Sequence, residues 1–412
     1  MLRQLSKAII KRCRECSMSQ SSIPELNPPA RILLGPGPSN VSPRVLRAMT
    51  APLLGYLDPD FLEIMNGVAG MLREVFGTES GFTLPISGTG SAGMEAGIAN
   101  LLEPDDVMVV AANGFFGDRM AEMGTRQGAT VVKINTEWGK VVDVDQVRQE
   151  LQRHPKVKVL SVVHAETSTG VLQPLDDLSQ LAREYDALFL VDAVTSMGAN
   201  PIDMDRNGID FCYAASQKCL GAPPGLAPVG ISSKALSAIE NRKAPPRTWY
   251  LDIGLLRSYW NEGTRVYHHT APVTMIYALR EALRALLEEG LTNSYERHKL
   301  NGRALRAGLQ ALGLQTLVPE DHCTFQLTSV QIPDGIDDAA MRNIFLRQYN
   351  MEIGGGLGVF RGNVWRIGLM GESSRSSNVL LLLSILEKEL PKAGFEVAVG
   401  SGVAAASRVL SQ

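Results

Sequence analysis

The chain has 412 residues, of which 45% are hydrophobic and 20% are charged, as is ordinary for a globular protein with a sizeable core. Its formal net charge of −3 leaves no basic footprint of the kind that nucleic-acid binding requires. No apolar run reaches the roughly 18 residues that a membrane span needs. We therefore expect neither nucleic acid nor membrane as a partner, and a small molecule as the ligand.

The chain begins with a segment that carries only basic charges before Glu15, its first acidic residue. Its apolar residues stand at roughly helical spacing, a combination that is typical of a mitochondrial transit peptide. A disordered tail is the alternative. We expect residues 1–24 to be a flexible or targeting segment. The expected location is cytoplasmic, or the mitochondrial matrix if Met1–Ser22 is a transit peptide.

From Arg31 onward, short apolar runs alternate with amphipathic stretches. The apolar runs predict strands at Phe82–Ile86, Val107–Ala111, Thr130–Ile134, Val157–Val163, Ala187–Val191 and Phe211–Ala214. The amphipathic stretches predict helices at Ser91–Leu102, Arg119–Gln127, Val144–Gln152 and Leu175–Tyr185. Because the strands are apolar throughout, we predict a large α/β domain, residues 25–290, with a mostly parallel sheet covered on both faces.

The last part of the chain has a different order of elements. After a long helix at Val273–Glu289, the pattern predicts helices at Tyr295–Leu312 and Ser377–Leu390 and strands near Thr328–Ile332, Met351–Ile353 and Val364–Leu369. We predict a smaller α+β domain, residues 291–395. The remaining residues, 396–412, are rich in small side chains, and we expect a frayed tail.

Two residues, Asp192 and Lys218, indicate the chemistry of the protein. Asp192 follows the strand Ala187–Val191, and Lys218 lies in the small-residue loop Ala215–Gly221. Taken singly, they are better explained as a capping or solvated carboxylate and a surface lysine. Together they are what pyridoxal 5′-phosphate chemistry requires, since a lysine forms an imine with the aldehyde and a carboxylate keeps the pyridine nitrogen protonated.

The turn Ser87–Ser91 lies between a predicted strand and a predicted helix. Its glycines let the backbone approach a ligand, and the N–H groups that open the helix favour an anion, so the turn is a candidate phosphate site. Gly88, Gly90 and Gly93 also match the G-x-G-x-x-G dinucleotide pattern, but the next strand ends in Ala112-Asn113-Gly114 without the acid that ribose binding needs. A glycine-rich turn with no ligand remains the other alternative.

Three further features are candidates for a site. Phe116 follows a strand and can stack on a planar ring, although alone it is better explained as a core residue. Arg366 lies in an apolar strand, where it needs an anion, either in a structural salt bridge or as a substrate carboxylate. The adjacent histidines of Tyr267–Thr270 have no nearby acid, so we expect no metal site.

These motifs, taken in order, resemble those of the class V aminotransferases, and most closely the alanine–glyoxylate aminotransferases. The resemblance runs from about Arg31 to about Leu390. The matching motifs are Leu34–Asn40, Ile86–Gly90, Glu166–Val171, Val191–Asp192, Ser216–Lys218, Ala222–Gly225, Tyr267–Thr270 and Trp365–Gly368. It implies the aspartate-aminotransferase-like fold, fold type I, with a seven-stranded type of sheet in the large domain.

The resemblance also implies a role for each matching residue. Lys218 takes the place of the imine lysine, and Asp192 that of the partner of the pyridine nitrogen. The cofactor-binding positions that it implies are Thr89, Gly90, Ser91 and Gln217 for the phosphate, Phe116 for ring stacking and Thr167 near the ring hydroxyl. Tyr267 and Thr270 complete the phosphate site from a neighbouring subunit, which implies a homodimer with shared active sites. Arg366 and Gly37 stand at the substrate positions.

The activity implied is a ping-pong transfer of an amino group from a small amino acid, alanine first, to glyoxylate. Serine–glyoxylate, ureidoglycine–glyoxylate and 3-hydroxykynurenine transamination are the alternatives on the same fold. A cysteine desulfurase would need a cysteine on a mobile loop, and Cys323 lacks glycine-rich surroundings. A catalytically silent binding or scaffold protein on this fold is the alternative from another class.

Overall fold

A computed structural model describes residues 24–154, 156–261 and 263–412. The predicted targeting or flexible segment, residues 1–24, therefore lies outside the described residues except for Pro24, and it stays a prediction. Among the described helices, none is both long and apolar enough to cross a bilayer.

The strands of the described residues belong to one large sheet, one smaller sheet and one two-stranded hairpin. In chain order they are β1 (Ile32–Leu34), β2 (Phe82–Ser87), β3 (Val107–Ala112), β4 (Thr130–Asn135), β5 (Val157–Val163), β6 (Ala165–Glu166), β7 (Val171–Leu172), β8 (Leu188–Asp192), β9 (Phe211–Tyr213), β10 (Leu226–Ile231), β11 (Leu327–Gln331), β12 (Met351–Gly355) and β13 (Val364–Gly368).

The large sheet has seven strands in the order β2-β10-β9-β8-β5-β3-β4. Neighbours from β9 to β4 pair in parallel, and β10 runs antiparallel to β9 and β2. Every residue of β8 is buried, so both faces of the sheet are covered. The predicted mostly parallel, seven-stranded sheet is confirmed. Strand β10 was not predicted, because Pro228 and Gly230 are residues that strands disfavour.

The helices lie between and beside these strands. In chain order they are α1 (Pro43–Ala48), α2 (Pro59–Phe76), α3 (Gly90–Leu101), α4 (Phe115–Arg126), α5 (Val144–Arg153), α6 (Asp176–Glu184), α7 (Ser233–Glu240), α8 (Ile253–Trp260), α9 (Val273–Glu289), α10 (Leu291–Ala311), α11 (Asp338–Gln348), α12 (Ser376–Glu389) and α13 (Ser401–Leu410). Helix α4 begins four residues earlier than the predicted Arg119, so Phe116 lies in its first turn.

The smaller sheet has the order β1-β12-β13-β11 and a hydrophobic core of its own. Strand β1 pairs in parallel with β12, so Leu34 contributes to this core although it precedes the large sheet in sequence. The predicted domain 25–290 therefore includes a strand that pairs with the smaller sheet. The domain boundary between residues 290 and 291 stays a prediction.

The prediction that residues 396–412 are frayed is wrong for Ser401–Leu410, which form helix α13. Ala406 is completely buried in the smaller core. The Glu387 carboxylate accepts the N–H groups of Gly402 and Val403 at 2.9 and 3.0 Å, and so caps the helix. The small side chains from which we predicted a frayed tail are those that let α13 lie close to α10.

Candidate active site

A cavity of about 180 Å³ opens where β3, β5 and β8 end. Open α/β sheets bind ligands outside the carboxyl ends of their strands, and this cavity has that position. Its walls come from several elements at once. The lining residues are Thr89, Gly90, Ser91, Met94, Phe116, Arg119, Val163, Ala165, Thr167, Asp192, Val194, Gln217 and Lys218. The structure thus brings together the cofactor residues predicted from sequence, apart from Tyr267 and Thr270.

Asp192 ends β8 at the base of the cavity and is only 3% exposed. Both of its oxygens accept hydrogen bonds of 2.8 Å, Oδ1 from the Val194 N–H and Oδ2 from the Tyr213 hydroxyl. Burial raises the pKa of Asp192 to about 7, and the two hydrogen bonds oppose this rise. A carboxylate held in this way can accept a proton or face a cation inside the cavity.

Lys218 lies on the turn that follows β9 and reaches the same cavity. Burial lowers the pKa of its amine to about 8, so a sizeable fraction is neutral near physiological pH. The amine donates to the carbonyl oxygen of Pro36. Gly37 has a φ of +111°, and a Cβ there would collide with Lys218 Nζ, so only glycine fits beside the amine. The predicted substrate position Gly37 is therefore next to Lys218.

The turn after β2 leads directly into α3. Thr89 is the N-terminal capping residue of α3, but its side chain caps no N–H group, so the first N–H groups of the helix are available to a ligand. The Gln217 Oε1 atom is buried beside them and has no hydrogen-bond partner among the described residues. Free donors at a helix start and an unsatisfied amide oxygen are what a bound polar group would satisfy.

Phe116 lines the cavity from the first turn of α4. Its N–H donates to Glu166 Oε2 at 3.1 Å, and the other oxygen, Oε1, accepts the Ser168 hydroxyl at 2.6 Å. The Ser168 Oγ atom in turn accepts the N–H of Phe115 at 3.0 Å. Burial raises the pKa of Glu166, which is completely enclosed. These hydrogen bonds connect the backbone of Phe116 to the segment that carries Thr167.

Thr167 and Arg366 meet at the wall between the two sheets. Thr167 lines the cavity, and its Oγ1 shares a hydrogen bond of 2.5 Å with Thr195 Oγ1. Arg366 is 6% exposed and does not line the cavity itself. Its hydrogen bonds to described residues end on carbonyl oxygens, those of Gly355 at 2.7 Å and Thr167 at 3.1 Å. Burial lowers the pKa of Arg366 to about 10. The alternative of a structural salt bridge is not found among the described residues.

Tyr267 and Thr270 do not line the cavity of their own chain. Tyr267 is 50% exposed, and its ring packs against that of Tyr56, with 5.0 Å between centroids. His269, which lies between Tyr267 and Thr270 in the sequence, forms a hydrogen bond of 2.7 Å between its Nε2 atom and Ser87 Oγ. Among the described residues, no cluster of three or more His, Cys, Asp or Glu side chains is placed to hold a metal ion.

Three residues at the site were not predicted from sequence: Tyr213, Glu166 and Arg119. Tyr213 is the register partner of Asp192 on the neighbouring strand, and that pairing is invisible in a single sequence. Glu166 was noted only as part of a motif. Arg119 stands three residues after Phe116, and helical spacing of that pair is the signal that could have indicated it.

The residues of this cavity fit pyridoxal 5′-phosphate. Lys218 offers an amine, Asp192 offers a carboxylate, and the start of α3 offers free N–H donors that suit a phosphate. A seven-stranded, mostly parallel sheet with a smaller α+β part is the fold type I arrangement. Fold and site together define a pyridoxal-phosphate-dependent enzyme of that fold type.

Comparison with known proteins agrees. The family model of class-V aminotransferases matches residues 33–367. The alanine–glyoxylate aminotransferase of Callithrix jacchus is 40% identical over 368 residues, 89% of each chain. The crystal structure of a ureidoglycine–glyoxylate aminotransferase from Bacillus subtilis has a TM-score of 0.92 at 40% identity, covering 94% of this chain and all of the other. That of an alanine–glyoxylate aminotransferase from Nostoc sp. has a TM-score of 0.88 at 45% identity, with coverages of 91% and 100%.

The chain belongs to the class-V aminotransferase family. It is a transaminase, and its cofactor is pyridoxal 5′-phosphate. The predicted family, fold class, type of enzyme and cofactor are thereby confirmed.

The raised pKa of Asp192 makes the stability of the cofactor-free protein depend on pH. The pKa is about 7 in the folded chain against an ordinary value of 3.8. Between these values the folded chain keeps a proton that the unfolded chain has lost, so the contribution of Asp192 to the free energy of unfolding falls as the pH rises. Asp192→Asn should remove this component, which is on the order of 2 kcal/mol over two pH units.

Urea unfolding of the cofactor-free wild type and of Asp192→Asn at about pH 5 and about pH 7 measures the difference. The wild type should lose more free energy of unfolding than the variant over this interval. Asp177→Asn, at an exposed aspartate, is the matched control and should behave as the wild type does. Equal losses in wild type and Asp192→Asn would contradict the raised pKa.

Proposed function

We propose that the protein transfers an amino group from a small amino acid, with alanine favoured, to glyoxylate in a ping-pong cycle. The observation that carries the proposal is the convergence of Lys218 and Asp192 on one cavity beside the start of α3. The names of the relatives support the substrates, since alanine–glyoxylate aminotransferases recur among them. Ureidoglycine is the second donor to consider, because a ureidoglycine–glyoxylate transaminase is also 40% identical.

Lys218 and Asp192 are proposed to carry the proton transfers. When bound, pyridoxal phosphate supplies an aldehyde that reacts with amines and a ring that withdraws electrons. Lys218 would hold the cofactor at its aldehyde carbon and, once displaced by a substrate amine, would move the proton of the substrate Cα atom as a general base. A pKa of about 8 suits an amine to this task. Asp192 would hold a proton on the pyridine nitrogen.

The remaining lining residues are proposed to position the cofactor. Thr89, Gly90, Ser91 and Gln217 would bind its phosphate at the start of α3, where the helix dipole favours an anion. The ring of Phe116 would lie against the flat face of the cofactor, and Thr167 would stand near its ring hydroxyl. Fixing the ring orients the bonds of the substrate relative to Lys218.

Arg366 is proposed to bind the substrate carboxylate, with Gly37 as the neighbouring backbone. The guanidinium is buried and its hydrogen bonds to described residues go to neutral carbonyl oxygens. An anionic partner would therefore stabilise its positive charge. A carboxylate accepts two parallel N–H groups of a guanidinium, which orients the substrate as well as attracting it.

The active unit is proposed to be a homodimer in which each site is shared. Tyr267 and Thr270 are exposed in the single chain and lie outside its own cavity, so they are accessible to the cavity of a second copy. We propose that they complete the phosphate site of the neighbouring subunit. A dimer would also cover the exposed Trp249, Tyr250 and Val266 near this segment in sequence.

The cofactor attachment predicts a covalent label. Purified protein should absorb in the violet to near-visible range, and borohydride should fix the cofactor on Lys218, because reduction makes the bond between amine and aldehyde irreversible. Peptide mass spectrometry locates the label. Lys218→Ala should lose the label and several orders of magnitude in turnover. Lys140→Ala, at an exposed lysine, is the control and should keep both. Labelling of another lysine in the wild type would overturn the assignment.

The assignment of Arg366 to the substrate carboxylate predicts that Arg366→Lys loses activity but keeps cofactor binding. Lysine keeps the charge but not the two parallel donors, so kcat/KM for alanine with glyoxylate should fall about 100-fold or more. Cofactor absorbance should stay unchanged, since Arg366 is assigned to the substrate. Arg361→Lys, at an exposed arginine of the same region, is the matched control.

The same steady-state assay in the wild type compares alanine with serine, ureidoglycine, 3-hydroxykynurenine and aspartate as donors. Alanine should have the highest kcat/KM. A higher value for ureidoglycine or a kynurenine would replace the donor and leave the transaminase intact. An unchanged kcat/KM in Arg366→Lys would remove Arg366 from the carboxylate site.

The shared site predicts complementation between two inactive variants. In a heterodimer of Lys218→Ala and Thr270→Arg chains, one of the two sites contains both an intact Lys218 and an intact Thr270. Activity should therefore reappear when the two variants are refolded together. The control pair is Lys218→Ala with Asp192→Ala, which leaves no intact site because both residues line the cavity of the same chain. Confirmed heterodimers without recovery in the first pair would contradict a shared site.

A further inference from the structure

Arg119 is a cationic residue of the cofactor cavity to which neither the sequence motifs nor the proposed reaction assigns a role. It lies on α4 three residues after Phe116, so both side chains leave the same face of the helix. Both line the cavity, together with Ser91 from the start of α3. The guanidinium thus stands where two helices meet at the proposed phosphate site.

The contacts of Arg119 orient the groups around it. Its Nη1 donates to Ser91 Oγ at 3.1 Å. Because this bond occupies a lone pair of the Ser91 oxygen, the hydroxyl hydrogen is left to donate to an acceptor in the cavity. The guanidinium carbon also lies 4.9 Å from the ring centroid of Phe116 and 5.1 Å from that of Phe115, within the range of a cation–π contact. The guanidinium is therefore held in place from two sides.

The charges of the residues that line the cavity indicate what Arg119 can bind. The cationic side chains among the lining residues are Arg119 and Lys218, and the anionic one is Asp192. Arg119 donates its hydrogen bond to a neutral hydroxyl, that of Ser91, and forms no ion pair with a carboxylate of the described residues. Lys218 is assigned to the aldehyde end of the cofactor. A doubly charged phosphate at the start of α3 would otherwise meet neutral side chains and the helix dipole alone.

We propose that Arg119 binds the phosphate of pyridoxal 5′-phosphate, next to Ser91, and supplies the charge that the neutral residues of the turn lack. The proposal rests on the assignment of Thr89–Ser91 as the phosphate site. A guanidinium suits this task because it remains charged and presents several donors to phosphate oxygens in a fixed plane. The contact with Phe116 makes the same residue a link between the phosphate and the stacked ring.

Removal of the phosphate from the ligand tests the proposal directly. Cofactor-free wild type, Arg119→Met and the matched control Arg126→Met are titrated with pyridoxal 5′-phosphate and, separately, with pyridoxal, and binding is followed by absorbance. Arg126 lies in the last turn of the same helix and is exposed, so its substitution tests for general damage to α4. Circular dichroism and thermal unfolding of the unliganded proteins check that each variant is folded.

The Kd of Arg119→Met for pyridoxal 5′-phosphate should rise by about tenfold to 100-fold, the usual effect of losing a charge-assisted hydrogen bond. Its Kd for pyridoxal should stay within about twofold of the wild-type value, and Arg126→Met should bind both ligands as the wild type does. Inorganic phosphate should compete with the cofactor in the wild type and more weakly in the variant. If Arg119→Met does not fold, Arg119→Lys is the second variant, with an intermediate loss for pyridoxal 5′-phosphate only.

Equal weakening for pyridoxal and pyridoxal 5′-phosphate would show that Arg119 acts only by holding Phe116, and would overturn the proposal. Unchanged binding of both ligands would overturn it as well. A wild type that binds neither ligand would instead contradict the proposed cofactor site as a whole.

Discussion

The burial of one carboxylate at the end of a parallel strand is the constraint on which the site depends. Asp192 ends β8, a strand covered on both faces, and its oxygens are held by a backbone N–H and the Tyr213 hydroxyl. An enclosed carboxylate with neutral donors is costly, and its raised pKa expresses that cost. In the proposed assignment a protonated pyridine nitrogen supplies the missing cation. The raised pKa of Asp192 would then favour binding of the cofactor with its pyridine nitrogen protonated.

A second buried carboxylate, Glu166, positions the helix that carries the aromatic wall. Its Oε2 atom accepts the N–H groups of Phe116 and Gly117 in the first turn of α4, where the helix dipole favours a negative charge. Gly114 allows this approach, since a Cβ there would collide with the Glu166 side chain. The direction of α4, and with it the placement of Phe116 and Arg119, therefore follows from a residue on a different strand end. Aromatic ring and guanidinium are positioned as a unit.

The smaller sheet and its flanking turns contact residues that line the cavity. Arg366 on β13 donates to the Thr167 carbonyl oxygen, and Gly37 lies beside Lys218 shortly after β1. Gly371, just beyond β13, donates its N–H to the buried His298 at 3.0 Å, and the carbonyl oxygen of Lys218 would meet a Cβ at this glycine. Contacts from the turns that flank the smaller sheet thus end on the loop that bears Lys218.

The sequence by itself determined the class of fold and the principal chemical groups. Apolar strands alternating with amphipathic helices depend on local periodicity, and Asp192 and Lys218 stand in local motifs, so both could be predicted. Strand β10 could not, because tertiary packing overrides the poor strand propensity of Pro228 and Gly230. Helix α13 could not, because small residues indicate close packing only once the opposing helix is known. Helical spacing from Phe116 could have indicated Arg119, whereas Tyr213 and Glu166 join the site through strand register and the placement of α4, which are long-range relations. Only the tertiary structure decides them, since no local pattern records which strand ends become neighbours.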